Sequence, residues 1–245
     1  GEPLSRLHGW ASSTTQGTRR STWTTPTSRL PGIGATVHET SPFAYHRLIV
    51  GYHGCDRQVV ERVLLRGEAL GPSNNPYDWL GTGIYFWEHG YERALEFARW
   101  KQSRGEVENP AVLGAYVHLG RCFDLTDTWA THQLARYHDD LVQRLAASGR
   151  AVPVNRKAGP HDFDLVLRHL DCAVINYALA SMDRRSLNDG PFFQTVRGIF
   201  VEGPPAFPGA GIRVKSHVQV AVRDTACILG YFLPASGYDG GEEPG

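Results

Sequence analysis

The stretch Leu48-Ile49-Val50-Gly51-Tyr52-His53-Gly54 decides the fold class of this chain. Its leading residues are apolar and few, which reads as a buried strand rather than a helix. Asp56 follows at once and is placed to cap a helix carrying Val59, Val60, Val63 and Leu64 on one face, ending near Gly67 or Gly71. Working outward, Gly71-Pro72-Ser73-Asn74-Asn75-Pro76 is a loop by composition, and residues 84–87 form a strand. A helix with Ala94, Phe97, Ala98 and Lys101 comes next, then a strand over 111–119. The middle third is helical: Leu134, Leu141 and Leu145 make one stripe, which Gly149 can end, and Phe163, Val166, Leu167, Leu170 and Val174 make another. Strands return at 198–202, 217–222 and 226–233. They cluster instead of alternating with helices. The expected fold is therefore α+β, a mixed or antiparallel split sheet with a helical middle insertion, and not a doubly wound sheet.

At 245 residues the chain suits one domain. Lys and Arg number 25, Asp and Glu also 25, so no global field draws it to nucleic acid or an anionic membrane, although local patches remain open. No apolar run approaches the roughly 18 residues of a spanning helix, and the start does not read as a secretory signal. Cys55, Cys122, Cys172 and Cys227 form no C-x-x-C pair, which predicts reduced thiols, a cytoplasmic location and no metal site. Residues 1–40, rich in Ser and Thr and broken by Pro26 and Pro31, are expected to be a flexible lead-in. Residues 41–235 form the expected folded domain and 236–245 a flexible tail.

Three segments carry chemistry: Tyr52-His53-Gly54, Gly83-Ile84-Tyr85-Phe86, and Ser216-His217-Val218-Gln219-Val220-Ala221-Val222. Each sets one polar or aromatic side chain in or beside an apolar run, as a strand lining a cleft does. Gly54 would let a ligand approach the backbone, whose N–H and C=O match a planar carboxamide. Tyr85 follows a Gly81-Thr82-Gly83 turn, and its ring belongs either to the core or to a cleft. The dinucleotide motif G-x-G-x-x-G is incomplete, since Phe86 takes the place of its third glycine. Phosphate-loop, nucleophile-elbow and zinc-helix motifs are absent. Taken singly, His53 reads as a satisfied strand-end histidine and Gln219 as an outward polar residue. Their order around Tyr85 is what argues for a site.

Tyr52-His53-Gly54-Cys55, Gly81-Thr82-Gly83-Ile84-Tyr85-Phe86, the helix with Ala94 and the late strand with Gln219 resemble the catalytic domain of poly(ADP-ribose) polymerases. That family belongs to the diphtheria-toxin-like class of ADP-ribosyltransferases, whose triad is His-Tyr-Glu. The similarity covers residues 47–100 and 196–234; the helical middle matches nothing in the family. The resemblance implies NAD as co-substrate, 41–235 as the catalytic domain, and His53, Tyr85 and Gln219 as the catalytic set. It implies that His53 bonds the ribose beside nicotinamide, that the Gly54 main chain holds the carboxamide and that Tyr85 packs on the nicotinamide ring. Phe97, or else Tyr91, would complete the sandwich, and Ser73 and Asn75 would contact the adenosine.

Gln219 stands where the polymerising members carry glutamate. Breaking the nicotinamide–ribose bond creates an oxocarbenium-like centre, and a glutamine carbonyl can accept a ribose hydrogen bond without supplying charge or a general base. The expectation is mono-ADP-ribosyl transfer to a protein or nucleic-acid acceptor, in the setting of a bacterial toxin or defence effector, with a neutralising antitoxin as a further candidate partner. Asp78, Glu88 and Glu202 are the carboxylates that could supply the missing charge, each read first as a solvated strand-end residue. Arg197 is read as a phosphate contact or a buried ion pair. An NAD glycohydrolase and a non-catalytic module that binds NAD or ADP-ribose stay open beside the transferase.

Overall fold

The computed structural model describes residues 41–159, 164–186 and 190–235; the lead-in and tail expected at 1–40 and 236–245 lie outside them. In chain order the elements are β1 (Ala44–Asp56), α1 (Arg57–Arg66), β2 (Ile84–Glu88), α2 (Tyr91–Ser103), β3 (Pro110–Asp124), α3 (Thr128–Ala147), α4 (His169–Asp183), β4 (Thr195–Phe200), β5 (His217–Val222) and β6 (Ile228–Phe232). The protein is α+β with a six-stranded mixed sheet, in which only the β3–β4 pairing is parallel.

Local chemistry sets several boundaries. Asp56 is extended and accepts the Gln58 N–H, so the first turn of α1 has its donor satisfied; Gly67, at φ 67°, closes the helix in the left-handed region. The second Asp56 carboxylate oxygen accepts the N–H groups of Asn109 and Glu108, tying the start of α1 to the approach to β3. These bonds hold the Asp56 carboxyl below its usual range. The helix α4 starts later than its apolar stripe suggests. Leu167 is held extended by paired main-chain bonds to Arg156, and Phe163 lies outside the described residues.

The strand order is β1-β2-β5-β4-β3-β6, and β1 also pairs with β3 along most of its length. The first five strands therefore close on themselves, and β6 adds to β3. Directly opposite residues share a face, so the register divides inward from outward side chains. Ile49, Phe86, Leu113, Ala115 and Val220 fill the inside, where Val60 and Val63 of α1 join them. Outside, α2 covers Trp87 and Val112, while α3 and α4 cover Phe123, Val196 and Ala221.

The end of the ring away from α1 is polar. Arg197 donates to Glu88 at 2.6 Å and to Asp124 at 3.1 Å, and Arg47 reaches Glu88 from the surface at 2.8 Å. Glu88 is thus not the solvated charge expected from sequence: its side chain is 5% exposed because it points inward opposite Gly51. Of the two readings left open for Arg197, the structure gives the buried ion pair.

Candidate functional site

The β1–β2 ladder has two pairs, Gly51–Glu88 and Tyr52–Trp87, and beyond them the strands part. β1 meanwhile continues unbroken on β3 to Asp56. Residues 53–56 and 84–86 therefore flank a fork. The Val50 carbonyl accepts the His89 N–H on the β2 side. Main-chain groups of alternate residues point the same way in such a ladder, so the N–H and C=O of Gly54 face the fork.

The His53 ring spans it, with Nδ1 2.9 Å from the Tyr85 carbonyl oxygen. A carbonyl only accepts, so Nδ1 carries the hydrogen and the neutral ring keeps its lone pair on Nε2. That second nitrogen has no hydrogen-bond partner among the described residues. Burial lowers the His53 pKa; the Tyr85 carbonyl opposes this, and the Lys101 charge lowers it further. The ring is neutral at pH 7, an acceptor on the inner side of the fork.

Tyr85 meets His53 through its main chain, while its side chain lies on the opposite, outer face. The phenol oxygen accepts the Leu80 N–H at 2.9 Å and donates to the Gly81 carbonyl at 2.8 Å. Burial, with the Asp78 charge, raises the Tyr85 pKa and keeps that hydroxyl protonated. The ring thus pins the turn into β2. Gly54 is needed by packing: a Cβ there would lie 2.0 Å from the Ala94 carbonyl oxygen of α2. What it offers a ligand is its N–H and C=O.

Gln219 lies in a row with Tyr52, Trp87 and Gly198, on the outer face and 8% exposed. Its Oε1 accepts the Trp79 indole N–H at 2.5 Å. The Trp79 ring rests where Gly198 lacks a side chain, since a Cβ there would come within 2.8 Å of it. One lone pair of the Gln219 oxygen is therefore taken and one remains. The structure joins His53 to Tyr85 at the fork and Gln219 to Trp79 across β2, on the other face.

The remaining candidates divide. Phe97 is hemmed in by Trp87 at 5.1 Å, Trp100 at 5.6 Å and the Lys101 ammonium at 4.9 Å between centroids or charge. Tyr91 packs edge-on against Tyr52 and lines, with Phe232 and Gly90, a cavity of about 490 Å³. Of the two, Tyr91 has the open ring. Ser73 pairs its main chain with Gly83, and its hydroxyl accepts from Asn75, whose own N–H is bonded by Asp78. Loop 73–78 is thereby closed on itself, and Asp78 is occupied. Glu202 is paired with Arg93 at 3.1 Å.

Sequence reasoning missed Trp79, which stands 140 residues from its partner Gln219 with no local pattern to link them. It also passed over His217, whose ring stacks on Phe200 at 5.5 Å and 18°, and whose pKa burial pushes down to about 4. All four cysteines are buried and free; burial pushes Cys55 up to about 11 and Cys122 up to about 12, so they are protonated thiols. Among the described residues no cluster of side chains could hold a metal ion, and no helix is long and apolar enough to cross a membrane.

No family model and no solved structure matches the chain. Over 79 residues, 31% of its length, it is 37% identical to an uncharacterised protein of Methanocaldococcus jannaschii. It spans 36% of that relative. The relative is itself uncharacterised, so the chemistry of the fork rests on the fork's own residues.

Proposed function

We propose that this chain is an NAD-dependent mono-ADP-ribosyltransferase that passes ADP-ribose to a macromolecular acceptor and releases nicotinamide. One observation carries the reading: His53 Nδ1 is fixed on the Tyr85 carbonyl across a fork into which Gly54 turns its main-chain groups. The Gly54 N–H and C=O offer one donor and one acceptor, the complement of a carboxamide. The neutral His53 Nε2 accepts a ribose hydroxyl. Tyr85 is a positioning residue, which holds the turn into β2 and presents the carbonyl that fixes His53.

The bond broken joins the nicotinamide nitrogen to the anomeric carbon, and its electron pair leaves with nicotinamide. The acceptor's nucleophile then bonds to that carbon and loses its proton. Gln219, held by Trp79 on the outer face, acts on the developing positive charge only as a neutral dipole across β2, a weaker stabiliser than a carboxylate. That supports transfer of a single unit over chain growth.

The test is nicotinamide release from NAD labelled in its adenylate, with cellular protein and RNA fractions present and His53→Ala as control. Release with label entering one fraction, both lost in His53→Ala, is the expected result. Release without labelling would move the assignment to a glycohydrolase. Thermal stabilisation by NAD without turnover would make it a binding module, since a ligand that binds the native state stabilises it.

A further inference from the structure

We infer that the exposed face of α2 binds single-stranded nucleic acid through Trp100, and that this strand is the acceptor served by the fork; the acceptor role rests on the proposed transferase activity, the binding does not. Phe97, Trp100, Lys101 and Arg104 recur at spacings of three and four and so share one helix face. Trp100 is 48% exposed, unusual for the largest side chain. It is not loose: its ring stacks on Phe97 at 5.6 Å and 23°, and Phe97 is anchored on the buried Trp87. Two cations ride on these rings, the Lys101 ammonium 4.9 Å from Phe97 and the Arg104 guanidinium 4.8 Å from Trp100.

A rigid aromatic face flanked by cations is the chemistry that holds unpaired bases. Every base has a π face to stack, and each phosphate beside it needs a positive charge. Arg104 is paired with Glu106 at 2.7 Å, but both side chains are exposed, at 56% and 44%, so the guanidinium can exchange that surface pair for a phosphate and open the indole face to a base. Arg99 adds an exposed charge with no ion pair among the described residues. The helix that carries the patch also borders the fork, because α2 packs directly on Gly54, where a Cβ would lie 2.0 Å from the Ala94 carbonyl oxygen and 3.3 Å from the Ala98 nitrogen. A duplex hides its bases and would gain only the charge contacts. The neutral chain supplies no long-range field, so this local patch must carry the binding.

The probe is a short fluorescein-labelled oligouridylate, with oligothymidylate and a labelled duplex as separate arms, followed by anisotropy at low salt without NAD. Saturable binding of single strands, well above the duplex, is expected, and the RNA and DNA arms tell which strand is preferred. Trp100→Ala should weaken binding at least about fivefold, while Trp100→Phe keeps most of it. Lys101→Ala should make the salt dependence shallower. Circular dichroism checks that the variants fold. Equal affinity in Trp100→Ala, equal binding of duplex, or no binding overturns the proposal. NAD turnover without oligonucleotide binding would sink this inference alone; binding without turnover would sink the transferase reading and leave the platform standing.

Discussion

Under the proposed transferase reading, Gln219 offers a neutral amide where a carboxylate would add charge. In Gln219→Glu an anion would act on the positive charge that develops in the transition state, worth about 1 kcal/mol more than a neutral dipole. Nicotinamide release should rise by roughly fivefold; an unchanged rate would place Gln219 outside the reacting centre. His217 carries a second prediction. Its folded pKa of about 4 lies below the unfolded value of 6.5, so between the two the unfolded chain binds the extra proton. Stability should therefore fall as pH drops from about 6.5 towards about 4, and His217→Phe, which keeps a ring on Phe200, should flatten thermal melts across that window. His53 and Gln219 could be picked from sequence because each interrupts an apolar run. Trp79 could not, since its importance exists only once β5 lies beside β4 and the loop folds over Gly198.

Elements were legible where their signals are local. The helix α1 has both ends written in its residues, Asp56 and Gly67, and β5 is legible over 217–222 because an apolar run around one glutamine follows His217. The strands β1 and β3 were underestimated. Gly120 looks like a loop residue until the long β1–β3 pairing sets it opposite Tyr45, and His46 and Arg47 form the bulge in that ladder, a non-local arrangement that no window of sequence contains. The same applies to the packing of β1 on α2. Gly54→Ala places a methyl group against the Ala94 carbonyl oxygen, and overpacking of this kind costs about 1–3 kcal/mol. A drop in urea midpoint is expected; an unchanged midpoint would mean that α2 stands off from β1. Asp56→Ala should cost about 1–2 kcal/mol, as a cap is lost. The slope of the transition should stay constant if only stability has changed.

The whole molecule depends on closing the ring, and its polar end shows how. β4 reaches β3 in parallel only over Cys122 to Asp124, a short seam compared with the β1–β3 ladder. Arg197 lies on that seam opposite Asp124 and bonds both it and Glu88, so one guanidinium links β4, β3 and β2. The carboxylates it bridges are 5% and 4% exposed. Removing the cation leaves two buried negative charges, whereas removing all three charges leaves none. Arg197→Ala should thus cost about 3–5 kcal/mol, the usual penalty for stranding a buried ion. The triple variant Arg197→Met, Glu88→Gln, Asp124→Asn should recover much of that loss, because pairing inside a protein seldom exceeds the desolvation it requires. Arg47, with 53% of its side chain exposed, cannot compensate, and Arg47→Ala should change stability by less than about 1 kcal/mol. Urea unfolding of the four proteins at pH 7 separates these cases. If Arg197→Ala unfolds at the wild-type midpoint, water reaches Glu88 and Asp124, and the ring is held by its strand ladders alone.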